Sequence, residues 1–196
     1  MICSSLIQNA YFSSIHDGDI KKILKEIKSE VNFAEMKQTH SSKVKFINNE
    51  GTYDSDGIET NTQNLPLVVR VADCMPILMK SKNLISVVHA GWRGINSSIF
   101  EKSLKNHDFS SLKISIGPHA RECCYEVKED LKQLFPLSTI EIKGKYFLNL
   151  RKRIEDFCNN ENIAIEIFKE CTICDKNYFS YRETSTFKRQ FGIIWQ

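Results

Sequence analysis

Cys74 and His89 are the residues whose types and spacing most directly suggest chemistry. They stand in PILMKSKNLISVVHAG and its immediate upstream flank, where two apolar, β-branched stretches enclose the polar stretch KSKN. That pattern predicts a β-hairpin with a two- or four-residue loop. With the loop centred between Ser81 and Lys82, Cys74 falls directly opposite His89, and Pro76 is a place for a bulge. Opposed residues on one face hold their Cβ atoms about 4.5–5.5 Å apart. A thiolate and an imidazole so placed can share a metal ion, since a catalytic zinc takes three His, Cys or carboxylate ligands and keeps a fourth position open. The third ligand would be another histidine: His40 in KQTHSS first, with His16, His107 and His119 as alternatives. The same pair also suits a nucleophile and its base, as in cysteine hydrolases. The plainest alternative is a small core cysteine beside a hydrogen-bonded core histidine.

The stretch after His89, AGWRGI, adds to a functional reading. Gly91 and Gly94 allow close approach of backbone to a ligand, and a helix expected after them would offer N–H groups to an anion. Arg93 can grip phosphate or carboxylate through two bonds, while Trp92 either stacks on a flat ring or fills the core. Asp54 and Asp56, two apart in YDSDG, read as loop acids or as groups that orient a base. Arg182 and Arg189 read as surface or interface partners within reach of a pocket. Cys171 and Cys174 form a lone CxxC; a zinc ribbon needs a second spaced pair, which the adjacent Cys123 and Cys124 do not supply, so no structural zinc is expected there.

These residues need a scaffold, and the chain has the means to build one. It has 196 residues, 41% hydrophobic and 26% charged, with 12 Phe, 6 Tyr and 2 Trp, enough for one core and too apolar for a disordered chain. The net charge of +3 is dispersed, which argues against nucleic acid as a partner but permits an anionic substrate. No apolar run approaches the ~20 residues of a membrane span, and the opening residues lack a signal-peptide pattern. Seven cysteines, odd in number and two of them adjacent, point to a reducing cytoplasm rather than a disulfide framework. Asp17 or Asp19 caps a helix carrying Ile20, Ile23, Leu24, Ile27 and Val31. Strands are expected at 33–38, 43–47, in LPLVVRVAD, PILM, LISVVH, LKISIGP, IAIEIF and FGIIW. Helices are expected over Ile95, Ile99 and Leu104, over Val127, Leu131, Leu134 and Phe135, and after Asn149. No Gly-rich fingerprint or regular βαβ rhythm suggests a dinucleotide fold.

The segments MKQTHSSKV, YDSDGI, VRVADCMPILM, VVHAGWRG, IGPHARECCYEV and YFSYRETSTFKRQ occur in the order found in the YfiH-like family. That family is also called the polyphenol oxidase or laccase-domain family, and its bacterial members peptidoglycan editing factors. The resemblance spans residues 33–194. It implies a single α+β domain, 1–196, with mixed β-sheets layered against helices and a shortened N-terminal segment. It implies a metal, usually zinc with copper as the alternative, held by His40, Cys74 and His89. It implies purine nucleoside phosphorylase activity on adenosine, inosine or methylthioadenosine, with adenosine deamination as an associated activity.

The chain departs from the family pattern at DSDG, a mild change that keeps both acids, and at Arg182-Glu183 and TFKRQ, where a glycine is replaced; the latter two bear on tail contacts, and none touches the metal trio. For phosphorolysis, Arg93 and the following helix would hold phosphate, and Asp73 or Asp56 would orient ligands or move a proton. A multicopper laccase fits poorly, since five histidines are too few for a blue-copper site plus a copper cluster. The rivals are a peptidoglycan-precursor hydrolase using Cys74 or metal-activated water, and a non-catalytic zinc-stabilised interaction domain. The expected state is a monomer or weak homo-oligomer.

Overall fold

The computed structural model describes residues 1–29 and 32–196; Val31, expected on the first helix, lies outside them. Its elements in chain order are β1 (Ile2–Cys3), β2 (Ala10–Phe12), α1 (Ile20–Lys28), β3 (Ala34–Met36), β4 (Val44–Phe46), β5 (Gly51–Tyr53), β6 (Gly57–Thr60), β7 (Leu67–Val71), β8 (Met75–Ser81) and β9 (Leu84–Ala90). There follow α2 (Trp92–Asn96), α3 (Ile99–Ser103), β10 (Lys113–Ile116), β11 (Glu126–Val127), α4 (Glu129–Leu134), β12 (Thr139–Ile142), β13 (Lys145–Leu148), α5 (Lys152–Asn160), β14 (Ala164–Ile167), α6 (Tyr181–Thr184) and β15 (Gln190–Ile194). One six-stranded mixed sheet runs β1-β2-β15-β7-β3-β5, a second β14-β10-β8-β9-β6-β4, and β11-β13-β12 form a small third.

The sheets stack because their strands are apolar on both faces. In β7, Leu67, Val69 and Val71 face the second sheet, whose Leu78, Ile85 and Val87 join them in one core. The intervening Val68 turns to the opposite face and packs with Ile20, Ile23 and Leu24 of α1. In the second sheet, Ile77, Met79 and Val88 point outward onto Phe100 of α3 and Ile154 of α5. Period-two alternation thus feeds three cores, and each fully buried Leu, Val or Ile stabilises the fold by about 1.5–3 kcal/mol. The layering is the α+β arrangement expected from sequence.

Several details differ from that expectation. Asp19, not Asp17, caps α1, accepting from Lys21 N and Lys22 N; Asp17 instead accepts from Ser14 and the N-terminal amine. The helix expected over Ile95, Ile99 and Leu104 breaks into α2 and α3, because Ser98 adopts a left-handed conformation (φ 64°). Val127 belongs to β11, and Leu134 is 48% exposed at the end of the short α4. Arg151, rather than Asn149, precedes α5.

The β8–β9 register also differs. The loop is the two-residue turn Lys82-Asn83, and the ladder runs without interruption from Ser81↔Leu84 through Pro76↔His89 to Met75↔Ala90. Ser81 stays in the strand because its buried Oγ bonds His107 Nδ1 at 2.7 Å. Cys74 therefore lies diagonal to His89, and its opposite position falls to Gly91. The slip is one residue on each strand, which leaves both side chains on the same face.

Candidate active site

Three segments deliver side chains to one end of the two-sheet sandwich. Gln38 and His40 follow the C-terminal end of β3, Ala72, Asp73 and Cys74 follow β7, and His89 sits near the end of β9. They open into a cleft of about 440 Å³, a usual size for a small-molecule site. His40 Nε2 lies 3.8 Å from Cys74 Sγ, and the His40 and His89 rings meet edge to face with centroids 4.8 Å apart. One donor atom from each of His40, Cys74 and His89 falls within 4.8 Å of the others, a cluster that can hold a metal ion.

Backbone geometry makes that convergence possible. His40 (φ 60°) and Asp73 (φ 84°) both occupy the left-handed region, which costs non-glycine residues roughly 1–2 kcal/mol each and marks sites held in place by their surroundings. A Cβ on Gly91 would come within 2.9 Å of Cys74 Sγ and 3.1 Å of His40 Cδ2. Gly91 is thus the residue that lets the thiol and the ring approach.

Asp56 organises the trio from beneath. Wholly buried, it accepts from His89 Nδ1 at 2.8 Å, from the backbone N–H groups of Thr39, His40 and Ser41, and from Ser41 Oγ at 2.6 Å. Burial works against its charge, but the His89 and Ser41 hydrogen bonds outweigh it and hold the carboxyl far below the usual carboxylate range. With Nδ1 committed to Asp56, His89 presents Nε2 to the cleft, the arrangement found behind metal-ligating histidines. Burial opposes the Cys74 thiolate, yet the positive His89 ring and the His40 hydrogen bond pull the thiol down to about 6. Burial likewise opposes the His89 charge, while the Cys74 thiolate and Asp56 push the ring up to about 9. Two imidazoles and an easily ionised thiol form a donor set that fits zinc and similar soft-to-borderline ions.

The other expected residues fall into two groups. Asp73 lines the cleft, but its oxygens accept from Thr172 Oγ1 at 2.8 Å and Arg182 N at 2.7 Å. Arg93, Arg182 and Arg189 all line the cleft. Arg93 lies over the Trp92 ring, 4.2 Å from its centroid, and Trp92 packs against the core. Outside the site, Asp54 pairs with Lys43 at the surface. His16 meets Asn177, His107 bonds Ser81 and Ser86, and His119 bonds the Gly117 carbonyl. Those three histidines are therefore not ligands of the trio. Nor does α2 provide the expected anion site: at five residues it has little dipole to offer, so the guanidinium groups are the cationic feature.

Sequence reasoning missed Gln38, Arg70, Tyr125 and Tyr181, which complete the cleft. Gln38 clamps the Arg70 backbone, donating to its carbonyl at 2.7 Å and accepting from its N–H at 2.9 Å. Its place two residues before His40 was the available signal; nothing local marked Arg70 or the tyrosines. The CxxC reading also needs correction. Cys123, Cys124, Cys171 and Cys174 converge, with all four sulfurs within 4.8 Å of one another.

A family model described as multi-copper polyphenol oxidoreductase laccase matches residues 18–196. The chain belongs to this laccase-domain, YfiH-like family. It is 35% identical over 166 residues to a purine nucleoside phosphorylase of Aquifex aeolicus, covering 80% of this chain and 79% of that one. It is 34% identical over 178 residues to one of Clostridium acetobutylicum, covering 81% and 75%. In fold it is similar to the hypothetical protein YfiH of Bacillus licheniformis, with a TM-score of 0.81, 22% identity and coverage of 89% and 78%. YlmD of Geobacillus stearothermophilus superposes with a TM-score of 0.78 at 19% identity, covering 96% and 92%. These relatives support an enzyme of the laccase-domain family. Among the described residues, no helix is long and apolar enough to cross a membrane.

Proposed function

We propose that the chain is a zinc-dependent purine nucleoside phosphorylase, splitting adenosine, inosine or methylthioadenosine with phosphate into free base and sugar 1-phosphate. One observation carries this reading: the His40, Cys74 and His89 trio shares its cleft with Arg93, Arg182 and Arg189, while Arg70, which also lines it, is ion-paired with Glu35. A cleft with that charge favours an anionic co-substrate, and planar guanidinium groups match the oxygens of phosphate. The curated relatives named purine nucleoside phosphorylase support the same substrate class.

The geometry supports the following roles. Arg93 and Arg189 grip phosphate, and Arg93 is held in place by its stacking on Trp92. Tyr125 and Tyr181 offer aromatic faces to the purine. Asp73 places negative charge near the sugar, where positive charge develops as the glycosidic bond breaks. Asp56 keeps the His89 proton on Nδ1 and so frees Nε2. When bound by the trio, zinc supplies a Lewis acid that polarises an oxygen of substrate or phosphate.

Adenosine deamination is part of this reading as a second activity in which water replaces phosphate as nucleophile. The test is chromatography of adenosine, inosine and methylthioadenosine incubated with zinc-loaded protein, with and without phosphate. Free base released only with phosphate is the expected result. Inosine formed from adenosine without phosphate reports the deaminase. No change in any nucleoside overturns the reading and favours the peptidoglycan-precursor hydrolase with Cys74 as nucleophile.

A further inference from the structure

We infer that Cys123, Cys124, Cys171 and Cys174 form a second, structural metal site that takes zinc as a tetrathiolate. This inference is independent of the reading of the cleft.

The four sulfurs come from two turns distant in sequence. Cys123 and Cys124 lie in a tight turn closed by Cys124 N–H to the Arg121 carbonyl at 2.9 Å and Tyr125 N–H to the same carbonyl at 2.7 Å. In an extended strand adjacent side chains would point to opposite faces; the turn removes that restriction and lets both sulfurs face one point. Cys171 and Cys174 sit three apart on a single turn closed by Asp175 N–H to the Cys171 carbonyl at 2.9 Å. The two turns are held together by the His119–Cys171 bridge and by Thr172 N–H to the His119 carbonyl at 3.1 Å.

The sulfurs are close but unbonded: all four cysteines are free thiols within 4.8 Å of one another. Tetrahedral zinc with Zn–S bonds of about 2.3 Å sets its sulfurs about 3.8 Å apart, so a contraction of about 1 Å would complete the shell. The Arg121 N–H already donates to Cys171 Sγ at 3.4 Å. Such N–H groups stabilise a coordinated thiolate. Four thiols and no other donor suit zinc in a closed structural site rather than an open catalytic one.

The site has a mechanical role. Tyr125, which lines the cleft, directly follows Cys124. Thr172, next to Cys171, bonds the carboxylate of Asp73, and the Ala120 N–H bonds the Asp73 carbonyl at 2.8 Å. An ion joining the two turns therefore braces the wall of the cleft beside Cys74.

The test is zinc content by elemental analysis of protein purified under reducing conditions, paired with cobalt spectroscopy. The wild type is expected to carry two ions per chain and the His40→Ala/Cys74→Ser variant one. Adding Cys171→Ser and Cys174→Ser removes the remaining ion. If those serine variants fail to fold, cobalt added to the His40→Ala/Cys74→Ser variant alone decides, because a tetrathiolate gives intense sulfur-to-cobalt charge-transfer absorption. The proposal is overturned if that variant holds no zinc and gives no such absorption, or if thiol counting finds these four cysteines paired as disulfides. One ion per chain in both the wild type and the His40→Ala/Cys74→Ser variant would instead count against the metal trio.

Discussion

Asp56 Oδ1 accepts the Nδ1 proton of His89 at 2.8 Å, both groups being almost wholly buried, and so determines which nitrogen of that ring faces the cleft. Replacing Asp56 with Asn keeps the shape but turns one carboxylate oxygen into a donor, so the residue loses either the acceptor shared by His89 Nδ1 and the His40 N–H or the one shared by the Thr39 and Ser41 N–H groups. Metal affinity is expected to fall by about 10–100-fold, read by competition with a chromogenic chelator. An unchanged affinity would mean that Asp56 supports the loop but not the ligand.

Gly91 is predicted to tolerate no side chain. In Gly91→Ala the new methyl carbon meets Cys74 Sγ at 2.9 Å and His40 Cδ2 at 3.1 Å, so the donors must separate. The variant should fold with nearly the wild-type melting temperature and lose the zinc of the cleft. Full occupancy of that site in Gly91→Ala would show that the donors can spread without cost.

Arg93→Ala is expected to raise the KM for phosphate about tenfold or more, the loss of a charge-assisted hydrogen bond of about 1.5–3 kcal/mol. The KM for nucleoside should move little. Lys at this position should not rescue, because it can neither fork onto phosphate nor stack flat on Trp92. Steady-state kinetics with phosphate varied at saturating nucleoside checks this, and equal effects on both KM values would remove Arg93 from the phosphate grip.

His107 gives the fold an acid limit. It is 7% exposed, bonds Ser81 Oγ and Ser86 Oγ, and is pushed by burial down to about 4. A folded-state value below the unfolded one of about 6.5 contributes stability that is present above pH ~6.5 and lost as pH falls through ~4. On the order of 3 kcal/mol is at stake. Urea unfolding at pH 7 and pH 4 should show His107→Gln losing less stability over that interval than the wild type. Identical losses would mean that another group sets the limit.

Much of this was legible because the central strands carry a strong local signal. The runs over β7, β8 and β9 are buried on both faces, so their β-branched residues stand out without help from the rest of the chain. The hairpin placed Cys74 near His89 despite a wrong loop centre, because the slip preserved the face. What failed depended on distant contacts. Ser81 remains in β8 only because His107 packs onto it, and Ser98 breaks the helix through a local backbone conformation that serine does not advertise. Cys123 and Cys124 meet Cys171 and Cys174 across nearly fifty residues, which no spacing rule for a zinc ribbon covers. Arg70 enters the cleft from the middle of a strand, where its sequence neighbours announce nothing but burial.

The most direct measurement is phosphorus NMR of zinc-loaded protein turning over inosine in phosphate. The account predicts a sugar 1-phosphate signal growing in step with free hypoxanthine, and its absence with Cys74→Ser. Hypoxanthine released while the inorganic phosphate signal stays unchanged would contradict it, since the cleft would then be using water rather than the anion proposed for Arg93 and Arg189.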